Sequence, residues 1–159
     1  MEALKRTQIA FLSKGKEKEK EFMSLFLNAA ESTKEEDIHG HIDLKVYASV
    51  DVKSMKKLSR DDDSPNENFH WIEIKNVQDK PGWLYGEADY FAFETIDYWV
   101  IVDKQDLQDL IKKKVTKEFV SDKKNSLYKL YRRDGRKDII TLVKTLDLMK
   151  IATKTFDKN

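Results

Sequence analysis

Two runs between residues 41 and 53 alternate apolar and polar side chains strictly, a period-two pattern that strands present and helices do not. His41-Ile-Asp-Leu-Lys-Val-Tyr47 sets Ile42, Leu44 and Val46 on one face and Asp43, Lys45 and Tyr47 on the other. Ser49-Val-Asp-Val-Lys53 places Val50 and Val52 opposite Asp51 and Lys53. The link Tyr47-Ala-Ser49 is short enough for a hairpin. A third run, Phe69-His-Trp-Ile-Glu-Ile-Lys75, sets Ile72 and Ile74 opposite Glu73 and Lys75. These runs predict an antiparallel meander of three adjacent strands sharing one sheet, with a carboxylate and a lysine from each on one face.

The remaining chain predicts helices and further strands around that meander. Phe22, Leu25, Phe26 and Ala29 form an apolar stripe on a helix over Glu17 to Ala30, which the polar stretch Glu31 to Gly40 ends. A long polar loop, Lys56 to Asn68, separates the second and third strands. Pro81-Gly-Trp-Leu-Tyr-Gly86 is an aromatic-rich turn leading into two apolar runs, Ala88 to Phe93 and Tyr98 to Val102, that read as central strands. Asp103 is placed to cap a helix over Gln105 to Val115, whose core stripe is Leu107, Leu110 and Ile111. Leu127 to Tyr131 and Asp138 to Val143 flank a hairpin turn at Asp134-Gly135, and a short helix over Leu146 to Ala152 closes the chain. The order predicts a mixed α/β domain.

At 159 residues and 18.7 kDa the chain fits one domain, residues 1–159. With no cysteine, disulfide frameworks, thiolate metal sites and cysteine nucleophiles are excluded. No apolar run approaches a membrane span and the first residues lack a secretory signal, so a soluble intracellular protein is expected. The net charge of +1 is unevenly spread. Residues 112–159 hold 15 of the 30 Lys and Arg but 6 of the 29 Asp and Glu, a net +9 against −8 in the first 111 residues. A basic third on an acidic body suits a nucleic-acid enzyme, but on charge alone a lysine-rich solvated surface is the readier account.

The sharpest chemistry lies in Asp43, Asp51 and Lys53. Alternation puts Asp51 and Lys53 on one side of a strand, and a hairpin brings Asp43 to the same patch. Two carboxylates suit Mg²⁺ (or Mn²⁺), a hard cation that keeps waters, while a lysine two residues on can orient the attacking water and neutralise transition-state charge. Ile42-Asp43 … Val50-Asp51-Val52-Lys53 resembles the PD-(D/E)XK nuclease superfamily, whose signature is an aspartate at a strand start followed by an acidic-x-lysine triplet on the next strand. Here the spacer is seven residues, Leu44 to Val50, and Ile42 stands where the superfamily's proline would be. The resemblance implies a restriction-endonuclease-like core and metal-dependent DNA cleavage. In archaeal Holliday-junction resolvases of this superfamily a first-helix glutamate joins the metal, and Glu19 is the best match here, with Glu21 behind it. A second register stays open: Glu73-Ile74-Lys75 as the triplet and Asp51 as the lone aspartate, with 21 residues between them. Cross-strand ion pairing on a solvent-facing sheet is the bland account of the same residues.

Arg132, Arg133, Arg136 and Lys137 at a hairpin tip are candidate phosphate contacts. Lys112 to Lys114 are accounted for by the helix dipole. His39 and His41 read as loop residues near the strand entry, and the aromatic residues from Trp83 to Phe93 as core. No Gly-rich phosphate loop or serine-nucleophile elbow is present. The expected function is a metal-dependent DNA endonuclease of junction-resolving, repair or phage type, in the cytoplasm of a bacterial or phage-infected cell. A homodimer suits cleavage of two strands. The alternatives are a non-catalytic nucleic-acid-binding module and a protein-interaction module on the same fold.

Overall fold

A computed structural model of the chain describes residues 15–23, 30–46, 48–59 and 62–158. The alternating runs form the expected hairpin. β2 (Leu44–Val46) pairs antiparallel with β3 (Ala48–Lys53), Leu44 opposite Val50. The short strand β1 (Ala30–Glu31) flanks β2. Residues 15–23 are helical (α1). The expected stripe positions Leu25, Phe26 and Ala29 lie outside the described residues, and Ala30 belongs to β1 instead of the helix.

β4 (Phe69–Lys75) does not continue the meander. It leaves for a second sheet, pairing antiparallel with β9 (Ile139–Lys144), and β5 (Tyr90–Glu94) takes the place beside β3, in parallel. The expectation that Asp51 and Glu73 share a sheet is therefore corrected. The reason is burial. Phe91, Ala92, Phe93 and Glu94 are all buried, so β5 needs cover on both faces, whereas β4 alternates buried and half-buried residues and suits an outer layer. β6 (Tyr98–Asp103) pairs antiparallel with β5, and β10 (Lys154–Asp157) with β6. The chain thus does not close on α3 (Thr145–Lys150); a strand follows it and completes the six-stranded sheet β1-β2-β3-β5-β6-β10. The second sheet, β4-β9-β8-β7, adds β7 (Phe119–Val120) and β8 (Leu130–Tyr131).

The two faces of the large sheet carry separate apolar layers. Phe91, Phe93, Val100 and Val102 pack against Ile72 and Val143 of the second sheet and against Leu107, Leu110 and Ile111 of α2 (Lys104–Lys114). On the opposite face Phe22 of α1 packs against Leu44, Val50, Ala92 and Trp99, meeting the Trp99 ring edge-on at 4.9 Å. The Asp103 side chain accepts from the Gln105 and Asp106 amides and caps α2, as its position predicts, a contribution of about 1 kcal/mol. The architecture is a mixed α/β fold with two sheets. Among the described residues, no helix is long and apolar enough to cross a membrane.

Candidate functional site

Asp43 and Asp51 face each other across the hairpin. The Asp43 amide donates to the Val50 carbonyl at 3.2 Å, and Asp43 Oδ2 accepts from the Val52 amide at 2.6 Å. Asp51 and Lys53 project from β3 toward the second sheet, on the side of Phe91 and Phe93. Lys53 Nζ reaches Asp51 Oδ1 at 2.5 Å and stands 4.3 Å from the centre of the Trp83 ring. Only 2% of Asp51 is exposed, so this is not the solvent-facing ion pair that alternation alone would allow.

Counted as a carboxylate, Asp51 Oδ2 is buried with no hydrogen-bond partner among the described residues; counted as an acid, it has Asp43 beside it as an acceptor. Burial pushes the Asp51 carboxyl up to about 7; Lys53 opposes that rise and the adjoining Asp43 charge adds to it. Glu19, on α1, is likewise raised, first by burial and then by the charges of Asp43 and Asp37, against its 2.8 Å ion pair with Lys16. His41 takes a left-handed conformation (φ 54°) at the end of a π-helical turn, Glu36–Gly40. Burial, and then the Lys53 charge, hold its imidazole below the ordinary value. Together Glu19, Asp37, His41, Asp43, Asp51 and Lys53 line a cleft of about 190 Å³.

Among the described residues, no three His, Cys, Asp or Glu side chains form a ready metal-ligand cluster. The donor set is nonetheless one that Mg²⁺ or Mn²⁺ uses, since these ions commonly take one or two carboxylates and fill the rest with water and substrate oxygens. Lys53 pairs with Asp51 Oδ1, which leaves Oδ2 without a hydrogen-bond partner among the described residues.

Glu73 and Lys75 stand elsewhere. Glu73 Oε1 accepts from the Trp83 amide at 3.3 Å, and Lys75 pairs with Asp79 at 2.6 Å on the 76–80 turn. Glu73 still contributes to the electrostatic field at His41, across the gap between the sheets. The expected basic hairpin forms, with Gly135 at φ 69° in its turn. Arg133 is bound at the hairpin base by buried Asp138, and Arg132 stacks 4.9 Å over Phe119, while Arg136 and Lys137 are exposed at the tip.

Residues that sequence reasoning left aside also shape the cleft. Asp37 and His41 enter it from the turn before β2, and Trp83 supports Lys53. The signal for Trp83 was Gly82. A side-chain carbon there would sit 2.7 Å from the Glu73 carbonyl carbon, so only glycine lets the 81–85 segment lie against β4, where the Gly82 amide donates to Ile74. Gly82→Ala is expected to destabilise the fold by about 1–3 kcal/mol and to shift tryptophan emission as Trp83 moves from Lys53. Denaturant unfolding followed by fluorescence checks this; an unchanged midpoint and spectrum would refute the close-packing argument.

No protein-family model, curated protein or solved structure matches the chain.

Proposed function

We propose that the Glu19–Asp43–Asp51–Lys53 cleft is the active site of a divalent-metal-dependent DNA endonuclease on a restriction-endonuclease-like core. The observation that carries this reading is the convergence of Asp43, Asp51 and Lys53 in one cleft, with Asp51 buried and one of its oxygens unpartnered. Burying a carboxylate with an unmet oxygen is unfavourable for stability alone, and functional sites are where such groups concentrate.

Asp43 and Asp51 would hold the cation, with Glu19 at the cleft wall. A bound Mg²⁺ or Mn²⁺ supplies Lewis-acid activation of the phosphodiester. Asp43 is oriented for that task by the Val52 amide, which fixes one of its oxygens. Lys53 holds Asp51 in place and presents an ammonium where negative charge builds on the transferring phosphoryl group. Its contact with Trp83 limits the side chain's freedom, so less ordering is needed at the moment of reaction. Arg136 and Lys137 are the exposed cations of the hairpin and would engage phosphates outside the cleft. DNA of junction, repair or phage type remains the substrate class in this reading, with a homodimer as the assembly that cuts two strands.

Cleavage of supercoiled plasmid, single-stranded DNA and a four-way junction in Mg²⁺, Mn²⁺ or EDTA tests the proposal. Cutting is expected only with metal, and Lys53→Ala is expected to lower its rate about 10²–10³-fold while the circular dichroism spectrum is kept. Metal-dependent cutting that Lys53→Ala leaves intact would refute the assignment. DNA binding at low salt without cutting under any metal would make the protein a non-catalytic nucleic-acid-binding module.

A further inference from the structure

Lys75 and the basic hairpin lie outside the cleft, and the second sheet brings them together. β4 and β9 are neighbours with Lys75 opposite Ile139, so the 76–80 turn that follows β4 stands beside the 132–137 hairpin that precedes β9. Lys75 pairs with Asp79 at 2.6 Å. That bond is the main reason the exposed Asp79 carboxyl is held below its ordinary value, and the charges of Lys137 and Arg132 add to it. Lys80, Arg132, Arg136 and Lys137 are exposed, and among the described residues none of the four makes an ion pair. Of the acids on these two turns, Asp138 is engaged by Arg133, which leaves only Asp79 and Asp134 exposed.

Both turns are held by their own backbones. Asn76 Oδ1 accepts from the Gln78 amide at 2.9 Å and the Lys80 amide at 3.1 Å, and the Asn76 amide donates to the Lys80 carbonyl at 2.9 Å. Arg133 Nε donates to Asp138 at 3.1 Å, and the Arg136 amide donates to the Arg133 carbonyl at 3.1 Å. The cations are thus displayed from ordered segments, which lowers the cost of binding an extended anion. The 81–86 segment runs from Lys80 to the cleft, where the Glu87 amide donates to the Gly40 carbonyl beside His41 at 2.9 Å. A segment of that length reaches at most about 20 Å, or about six base-pair steps. The cleft itself carries Glu19, Asp37, Asp43 and Asp51, so attraction for a nucleic acid has to come from a separate cationic surface.

We infer that this end of the second sheet binds the sugar–phosphate backbone of duplex DNA through Lys75, Lys80, Arg132, Arg136 and Lys137, and that the Asp79 carboxylate stands where a phosphate would and weakens that binding. A single exposed pair such as Lys75 with Asp79 is weak, and a duplex with one charge per about 1.7 Å competes for the lysine. The cluster offers charge and forked donors on a convex surface, so it holds backbone and is blind to sequence. The inference rests on the nuclease reading for the identity of the polyanion, whereas the cationic surface is defined without it.

The test is the fluorescence anisotropy of a labelled duplex of about 30 base pairs, titrated with the full chain in EDTA between about 50 and 200 mM salt. Asp79→Asn keeps the side-chain shape and a residue type that accepts the left-handed φ of 65°. It is expected to bind the duplex about 3–10-fold more tightly than wild type at the lowest salt, with its melting temperature kept. Arg136→Gln with Lys137→Gln is expected to weaken binding at least tenfold and to lower the slope of log K against log salt by about 2. Asp79→Asn binding no more tightly than wild type, the double hairpin variant keeping the wild-type affinity and slope, or no duplex binding at about 50 mM salt would each overturn the inference. The two readings fail separately: a duplex bound through these residues but cut under no metal removes only the nuclease, and metal-dependent cutting whose KM none of these substitutions changes removes only this surface.

Discussion

Asp51→Asn is expected to lose DNA cleavage and, in EDTA at pH 8, to melt at a higher temperature than wild type. The two effects share one cause. The buried Asp51 carboxyl titrates at about 7 instead of its ordinary 3.8, so between those values the native state binds a proton that the unfolded chain has released. Native stability therefore falls as pH rises from about 4 to 7 and levels off above it. Asparagine keeps the shape of the protonated acid, carries no charge and is free of that loss. The advantage of the variant should be near zero at pH 4 and grow through pH 7 to on the order of 2–4 kcal/mol. Melting curves across this range check the sign as well as the size. A divalent ion should reverse the ranking, because Mn²⁺ that binds only the wild-type native state raises only its melting temperature, and more at pH 8 than at pH 6. A variant less stable than wild type at pH 8 in EDTA would show that Asp51 is not held neutral by its burial. Cleavage retained in Asp51→Asn would remove it from the site.

The second large effect is expected at Glu94, on the opposite side of β5. Its side chain is 2% exposed, and its Oε1 meets Lys18 Nζ at 2.7 Å and Lys158 Nζ at 2.9 Å while Oε2 accepts from the Met55 amide at 3.0 Å. One carboxylate thereby ties α1, the exit of β3 and the end of the chain to the central strand. Glu94→Ala leaves Lys158, itself 12% exposed, without its nearest countercharge and should cost about 3–5 kcal/mol in denaturant unfolding. It should also lower cleavage, since the tie to Lys18 helps seat α1 and with it Glu19. Burial alone would raise the Glu94 carboxyl, but the two lysines and the Met55 amide outweigh it and hold it below its ordinary 4.5. Its contribution is therefore complete above about pH 4.5 and lost as pH falls through the lowered native value. Glu94→Gln should differ most from wild type at neutral pH and converge with it in acid. A neutral-pH stability within 0.5 kcal/mol of wild type for Glu94→Ala, by the usual scale for surface changes, would contradict this account.

Much of the local structure was legible in the chain. The alternation at 41–53 placed Asp43, Asp51 and Lys53 on one patch, and the hairpin register confirms that geometry. Asp103 before an apolar stripe marked the start of α2, and Asp134-Gly135 marked the turn between β8 and β9. Each of these signals spans a few residues and depends on backbone conformation and neighbouring side chains, which a sequence window contains. The depth of Asp51 was not legible in the same way. An alternating polar position usually faces water, and here the Asp51 carboxyl is buried beside Asp43 and Lys53.

Partner choice belongs to the tertiary structure. A period-two pattern says which side chains share a face and nothing about which strand lies alongside, so β4 and β5 competed for the edge of β3. The run at β5 is apolar nearly throughout and loses least by being covered on both sides, between α1 and the second sheet. β4 carries His70, Ile72 and Ile74 on one face and Trp71 and Glu73 on the other, and an outer layer satisfies it. That exchange moved Glu73 and Lys75 away from Asp51 and brought Lys75 beside the basic hairpin. The sequence alone determined which residues make strands, caps and turns. The packing of one sheet over the other decided which of them meet, because burying the most apolar strand in the middle stabilises the whole and no single segment records that sum.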